Sequence, residues 1–217
     1  MGRLASDLAR VFERRFVALL AYGPTRTVAF VQDVGAGDLA ALALLVDRWH
    51  REGLETPLIL TPAEFHRSLD VFPLEYGAIL DRHVVIAGTS PLERATLSPD
   101  DLRRACEVQA KGFLIHLRQG WLHAADHADE QRTLLVRSAA PLRALLTNLL
   151  RLSGAPAHDE ASLAAHAERS LGVPAGLIAA ILALETAPDG AEALRHQMDA
   201  YLAAAATLWS FVDAWRA

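Results

Sequence analysis

The densest group of metal-ligand side chains in this chain lies between His123 and Glu130, in the sequence HAADHADE. His123 and His127 are four residues apart, a spacing that places two imidazoles on one face of a helix, where they can share a metal ion. The glutamate that metalloproteases carry directly after the first histidine is missing, because Ala124 stands there. His123 and His127 are therefore metal candidates, and a polar helix end followed by a turn is the alternative interpretation.

Arg118 and His123 form a second pair whose spacing suits catalysis. An arginine can stabilise the charge that develops on a phosphorus centre, and a histidine can act as general acid or base. The sequence RQGWLH resembles the Arg-x(4–6)-His motif of ribonucleases in the helical HEPN superfamily. Because short matches of this kind arise by chance in a chain with many arginines and nine histidines, a solvated helix face is the competing interpretation.

Composition limits the classes of function. The 217 residues are 52% apolar and 22% charged, which is typical of a globular protein with one large or two small domains. The net charge of −5 argues against a nucleic-acid partner, since nucleic acids are bound by basic surfaces. Cys106 is the only cysteine, so neither an internal disulfide nor a cysteine-based metal cluster is expected.

The apolar runs are too short for a membrane protein. The longest, Pro174–Leu184 and Tyr201–Val212, fall below the ~20 residues that a membrane span needs. The N-terminal segment carries Asp7 and Glu13 and has no apolar core, so it does not resemble a signal peptide. We therefore expect no membrane partner and a cytoplasmic location.

Residues 1–95 alternate between strand and helix patterns, which predicts a small mixed α/β domain. The strand Phe16–Tyr22 shows no alternation of polar residues, so both of its faces should be covered. Asp38 is the predicted N-cap of a helix. The predicted elements are a helix over Ala5–Arg15, strands over Phe16–Tyr22, Thr27–Val31 and Thr56–Thr61, helices over Asp38–His50 and Pro62–Leu69, and short strands over Val71–Tyr76 and His83–Ala87.

Residues 96–217 are predicted to form an all-α antiparallel helical bundle, which makes the fold class α+β. Ser98-Pro99-Asp100-Asp101 is a strong helix start, because proline and acidic residues favour the first turn. A long final helix is predicted over Ala191–Trp215, and its aromatic residues suggest a homodimer through the bundle. The predicted buried stripe of the first bundle helix comprises Leu102, Cys106, Phe113, Leu117 and Trp121.

The order strand, glycine turn, strand, helix over residues 16–50 resembles the active-site module of the nucleotidyltransferase superfamily. The segments Asp70–Glu75 (DVFPLE), His83–Gly88 (HVVIAG) and Leu102–Glu107 (LRRACE) are similar to bacterial members that join a minimal transferase domain to a helical bundle. The similarity covers about residues 16–150. In that family a Gly-Ser turn contacts the phosphates, and an Asp-x-Asp pair on the next strand holds two Mg²⁺ ions.

This chain departs from that pattern at both places. The turn reads Tyr22-Gly23-Pro24-Thr25, and Thr27–Phe30 carries no carboxylate. The resemblance therefore implies a nucleotidyltransferase-like protein that has lost metal-dependent transfer and needs no cofactor. What survives would be a pocket for a nucleotide or another small molecule, or a fold kept for assembly. The ligand-binding candidates are Tyr22, Gly23, Thr25 and Glu75.

Two alternatives remain open at this stage. In the first, the protein is an active nucleotidyltransferase with relocated carboxylates, in which Glu75 and Asp70 are the catalytic candidates and Asp33 or Asp38 completes a Mg²⁺ site. Those carboxylates would have to converge within about 4–6 Å. In the second, the protein is a HEPN-type ribonuclease that uses Arg118 and His123.

Overall fold

The computed structural model describes residues 1–23, 25–124, 126–154 and 160–216. The chain divides into two compact units, Met1–Ser98 and Pro99–Ala217, whereas the sequence pattern placed the boundary between residues 95 and 96. The first unit contains a small mixed sheet with helices, and the second is helical. The predicted α+β fold class is confirmed.

The first unit is built around a four-stranded sheet in the order β3-β2-β1-β4. Strand β1 is antiparallel to β2 and to β4, and β2 is parallel to β3. The parallel pair requires a crossover connection, and helix α2 provides it. The elements are α1 (Gly2–Phe12), β1 (Phe16–Tyr22), β2 (Arg26–Val31), α2 (Ala36–Arg51), β3 (Leu58–Leu60), α3 (Pro62–Arg67), α4 (Pro73–Asp81) and β4 (His83–Gly88).

Both faces of the two central strands, β1 and β2, are covered, as the missing alternation in β1 predicted. Leu19 and Ala29 point to one face, where they join a buried cluster with the apolar side chains of α1 and α2. Leu20 and Val28 point to the other face and pack with side chains of α3 and α4. Because successive residues of each strand are buried on opposite faces, an uninterrupted apolar run is what these strands require.

Two local predictions for this unit are wrong. The segment Val71–Tyr76 is a turn followed by the beginning of α4, because Pro73 has no N–H for a strand ladder and suits the first position of a helix. Asp38 is not the N-cap of α2 but its third residue, after the N-cap Gly35. Its side chain accepts a hydrogen bond of 2.9 Å from the Gly35 N–H, which still satisfies a free group at the helix start.

The second unit begins with two long helices that pack against each other. Its elements are α5 (Pro99–Ala124), α6 (Ala128–Leu152), α7 (Glu160–Leu171), α8 (Ala175–Ala183), α9 (Ala191–Leu194) and α10 (Met198–Ala214). The final helix is not continuous as predicted, because a 3₁₀ turn at Arg195–Gln197 separates α9 from α10. Within the described ranges, no helix combines the length and the apolar character that a membrane crossing needs.

The buried side of α5 agrees only in part with the predicted stripe. Leu102, Cys106 and Leu117 are buried, whereas Phe113 and Trp121 are half-buried. Burial raises the pKa of the Cys106 thiol to about 12, so this cysteine is a protonated core residue at neutral pH.

Helices α5 and α10 are joined by a cation–π contact. The Lys111 Nζ atom of α5 lies 3.5 Å from the centroid of the Trp209 ring of α10. Trp209 and Trp215 are half-buried. The homodimer that the aromatic residues of this helix suggested stays a prediction.

Candidate functional site

The side chain of Arg26 lies over the glycine turn between β1 and β2. Gly23 has a φ of +63°, a left-handed conformation that glycine adopts without strain. The Arg26 guanidinium lies 4.9 Å from the centroid of the Tyr22 ring, which is a favourable cation–π geometry. A Cβ atom built on Gly23 would lie 3.4 Å from the Arg26 Nη2 atom, so the cation also covers the turn. Pro24 lies outside the described residues.

Tyr22 is buried beside two carboxylates. Burial raises the pKa of the Tyr22 phenol, the charges of Glu75 and Glu55 raise it further, and the Arg26 cation acts in the opposite direction. The phenol therefore keeps its proton at neutral pH and can take part in neutral hydrogen bonds. The structure thus brings three of the predicted ligand-binding residues, Tyr22, Gly23 and Glu75, to one end of the β1–β2 hairpin.

Thr25, the fourth predicted ligand-binding residue, is engaged by a residue that the sequence analysis missed. Its hydroxyl donates a hydrogen bond to the carboxylate of Glu55. The signal for Glu55 was indirect. Val28 pairs with Leu58 in the parallel β2–β3 ladder, and extending that register backwards by three residues places Glu55 beside Thr25. The Thr25 hydroxyl is therefore not free to meet a phosphate in this conformation.

Glu75 and Asp70, the catalytic candidates of an active transferase with relocated carboxylates, lie on the surface. Glu75 is exposed in the first turn of α4. Asp70 is exposed in the turn between α3 and α4, where the Phe72 N–H donates a hydrogen bond of 2.9 Å to the Ser68 carbonyl. The structure associates Glu75 with Tyr22, but it shows no corresponding electrostatic contact between Tyr22 and Asp70.

Asp33 and Asp38 lie at the opposite end of the hairpin and are held by one arginine. Arg15 Nη1 is 2.8 Å from Asp33 Oδ1 and from Asp38 Oδ2, and Arg15 Nη2 is 2.7 Å from Asp38 Oδ1. The hydrogen bonds from Arg15, with that from the Gly35 N–H, lower the pKa of Asp38 to about 2. The same contacts raise the pKa of Arg15. The Asp38 carboxylate is thus neutralised by a bidentate ion pair.

The strand register separates these acids from the glycine turn. Phe16 pairs with Val31 at the end of the hairpin near Asp33, whereas Tyr22 pairs with Arg26 at the end near Gly23. Seven residues of β1 lie between the two ends, which corresponds to roughly 20 Å at ~3.3 Å per residue. Asp33 and Asp38 therefore cannot share a metal ion with Glu75 in this structure.

The part of β2 that the resemblance compares with the paired acids of nucleotidyltransferases is buried. Thr27, Val28, Ala29 and Phe30 are each no more than 3% exposed. The Thr27 Oγ1 atom is buried without a hydrogen-bond partner among the described residues. This strand therefore contributes to the core on both faces and presents no carboxylate at the turn.

The histidine candidates do not lie on one helix. His123 is in the last turn of α5, whereas His127 is the N-cap of α6, so the chain turns between them and their helical spacing does not apply. Both are exposed, as is Arg118. The polar helix end and turn is the interpretation that matches this placement. Across the described ranges, no three His, Cys, Asp or Glu side chains come together in a metal-binding group.

Asp7 is a buried acid whose importance the sequence analysis missed. It is 2% exposed and accepts hydrogen bonds from Trp49 Nε1 at 2.9 Å and from Arg48. Burial raises the pKa of Asp7, but the hydrogen bonds from Trp49 and Arg48 outweigh it and leave the pKa below its usual value. The sequence does contain a sign of this role, because Asp7 lies beside Leu8 on the apolar face of α1 and a buried acid requires a hydrogen-bonding partner. This cluster joins α1 to α2.

Comparisons with protein-family models, with curated proteins and with solved structures find no match for this chain.

Proposed function

We propose that this chain is a nucleotidyltransferase-like protein that does not carry out metal-dependent nucleotidyl transfer and instead binds a nucleotide or another small molecule. One observation carries the proposal: the first two acids that follow Gly23 in sequence, Asp33 and Asp38, are held by Arg15 at the far end of the hairpin. Two divalent cations need several carboxylate oxygens around them. The part of β2 that would supply those oxygens, residues 27–30, is buried and uncharged.

The glycine turn is surrounded by charges of both signs. Arg26 supplies a cation next to Gly23, and the Tyr22 phenol is protonated. Glu55 and Glu75 place negative charge nearby, which repels phosphate groups. The turn is thus better suited to a ligand of low net charge than to a free triphosphate. A cytoplasmic location remains our expectation.

Calorimetric titration with ATP and GTP, each with and without Mg²⁺, tests the proposal. We expect Mg²⁺ to strengthen nucleotide binding by no more than about fivefold, through the phosphate charge that it neutralises, because Asp33 and Asp38 are paired with Arg15 and do not hold the metal at the turn. We expect Glu75→Gln to strengthen ATP binding about two- to fivefold, because it removes an exposed negative charge beside the phosphates. Glu13→Gln is the matched control, since Glu13 is exposed at the other end of the hairpin.

An active nucleotidyltransferase with relocated carboxylates would respond to Glu75→Gln in the opposite way. If Glu75 held a metal ion, Glu75→Gln would weaken Mg²⁺-dependent ATP binding and would abolish release of pyrophosphate from ATP. Tight binding that requires Mg²⁺, together with its loss in Glu75→Gln, would overturn the proposal. If neither nucleotide binds, the ligand is a different small molecule, and the proposal that the chain does not carry out nucleotidyl transfer is unaffected.

A further inference from the structure

The second unit contains an apolar groove of about 390 Å³ between α5 and α6. Its walls include Val108, Gly112 and Phe113 from α5, and Leu134 and Pro141 from α6. This volume lies within the range of ordinary small-molecule sites, which are mostly apolar with a few polar groups. Val108 is 75% exposed, so the rim of the groove keeps apolar surface that the chain itself does not cover.

Gly112 leaves the groove open. A Cβ atom built on Gly112 would meet no atom of another residue within 4 Å, although glycine is unfavourable in a helix interior. Gly120, two turns further along α5, is different, because a Cβ atom there would overlap the side chain of Leu134. Close packing explains glycine at Gly120, whereas at Gly112 the missing side chain leaves empty space in the groove.

Arg137 supplies an unneutralised cation at the groove. Across the described residues, no hydrogen bond or ion pair engages its guanidinium. Other polar groups of the lining have partners. Ser138 Oγ accepts a hydrogen bond of 2.9 Å from the Tyr201 hydroxyl, and Gln109 Oε1 accepts one of 2.9 Å from Asn148 Nδ2. Arg137 is therefore the lining group that is best placed to meet a charged ligand.

The acids near Arg137 do not compete for it. Arg137 also borders a polar depression, in which Arg132 pairs with both Asp129 and Glu192. Asp189 lines the same depression but does not come within ion-pair distance of Arg137. The positive charge of Arg137 is thus available to a ligand in the apolar groove.

We propose that this groove binds a small amphipathic anion, with an aliphatic chain over Gly112 and a carboxylate at Arg137. The apolar walls match the chain, and a single guanidinium matches one carboxylate through two parallel hydrogen bonds. A multiply charged phosphate would need more cations than this lining offers. The site lies within the second unit, so it does not depend on the function proposed for the first.

Calorimetric titration with sodium octanoate tests the site. We expect saturable binding with one molecule per chain and weaker binding of hexanoate, by about fourfold for each methylene removed from the apolar groove. Octanol, which has the same chain without the charge, should bind about tenfold more weakly than octanoate, because it lacks the charge-assisted contact.

Two variants separate the parts of the site. Gly112→Leu should abolish octanoate binding by filling the groove while the melting temperature stays the same or rises, since leucine favours the helix more than glycine. Arg137→Gln should weaken octanoate binding about tenfold and leave octanol binding unchanged. Arg169→Gln is the matched control, because Arg169 is an exposed arginine of α7 that does not line the groove.

Several outcomes would overturn the proposal. One is octanoate binding by Gly112→Leu that equals the binding of the unmodified chain. Another is equal binding of octanol and octanoate with no effect of Arg137→Gln. A third is a concentration-dependent dimer, measured by light scattering, that Gly112→Leu disrupts while octanoate does not bind. That result would assign the groove to a second copy of the chain.

Discussion

Replacing Gly88 by alanine should separate β1 from β4. Gly88 has a φ of +76°, and a Cβ atom there would overlap the Val17 carbonyl oxygen and lie 2.8 Å from the Ala18 Cα atom. These are backbone atoms of the neighbouring strand, so no side chain can rotate away to make room. The matched control is Gly53→Ala, because Gly53 has a φ of +72° but a Cβ atom there would have nothing within 4 Å.

The structure gives the expected size of the effect. Both variants incur the left-handed conformation of a non-glycine residue, about 1–2 kcal/mol. Gly88→Ala additionally weakens the hydrogen bond of 3.1 Å from the Thr89 N–H to the Val17 carbonyl, about 1 kcal/mol, and forces the strands apart, about 1–3 kcal/mol. We expect a difference of about 2–4 kcal/mol in the free energy of unfolding between the variants.

Amide hydrogen exchange, measured by mass spectrometry on peptides that cover β1, reports this difference within the first unit. Exchange should be about 30- to 1,000-fold faster in Gly88→Ala than in Gly53→Ala, since each 1.4 kcal/mol corresponds to a factor of ten. Equal protection of β1 in the two variants would show that the strands do not approach so closely at Gly88 and would refute the reasoning.

Two further predictions concern buried or paired acids. The pKa of Asp38 is lowered to about 2, so its pairing with Arg15 contributes fully to stability above the ordinary pKa of about 4 and loses that contribution as the pH falls from about 4 to 2. Urea titrations across this pH range should show that the free energy of unfolding depends less on pH in Asp38→Asn than in the unmodified chain. An equal pH dependence in the two proteins would contradict the pairing of Asp38 with Arg15. Asp7→Ala should lower the free energy of unfolding by about 2–3 kcal/mol, because it leaves the buried Trp49 N–H and Arg48 without their acceptor. A loss below about 0.5 kcal/mol, measured by urea titration, would show that these donors find other partners.

Much of the first unit could be predicted because its strands carry an unambiguous signal. The uninterrupted apolar run of β1 predicted a strand that is covered on both faces, and burial matches that prediction. The strand predicted over Val71–Tyr76 is wrong because two local tendencies conflict there: β-branched and aromatic residues favour a strand, whereas Pro73 favours a helix start. Local propensity alone did not decide between these two tendencies.

The surroundings of the glycine turn were only partly predictable. Tyr22 was proposed from its place at the end of the β1 pattern and Glu75 from the resemblance over Asp70–Glu75, although Glu75 lies in α4 and not in the predicted strand. The hydrogen bond from Thr25 to Glu55 depends on the register of β2 against β3, which a run of apolar residues does not specify. The pairing of Arg15 with acids 18 and 23 residues away likewise depends on tertiary structure.

The contact between Lys111 and Trp209 makes the second unit suitable for a simple chemical label. Lys111 is the only lysine in the chain, and its amine lies directly over an indole ring. An amine-reactive fluorophore would therefore attach at one internal position and at the amino terminus alone. Because acylation removes the positive charge of the Lys111 amine, the same reaction would break the cation–π contact between α5 and α10 without any substitution in the chain.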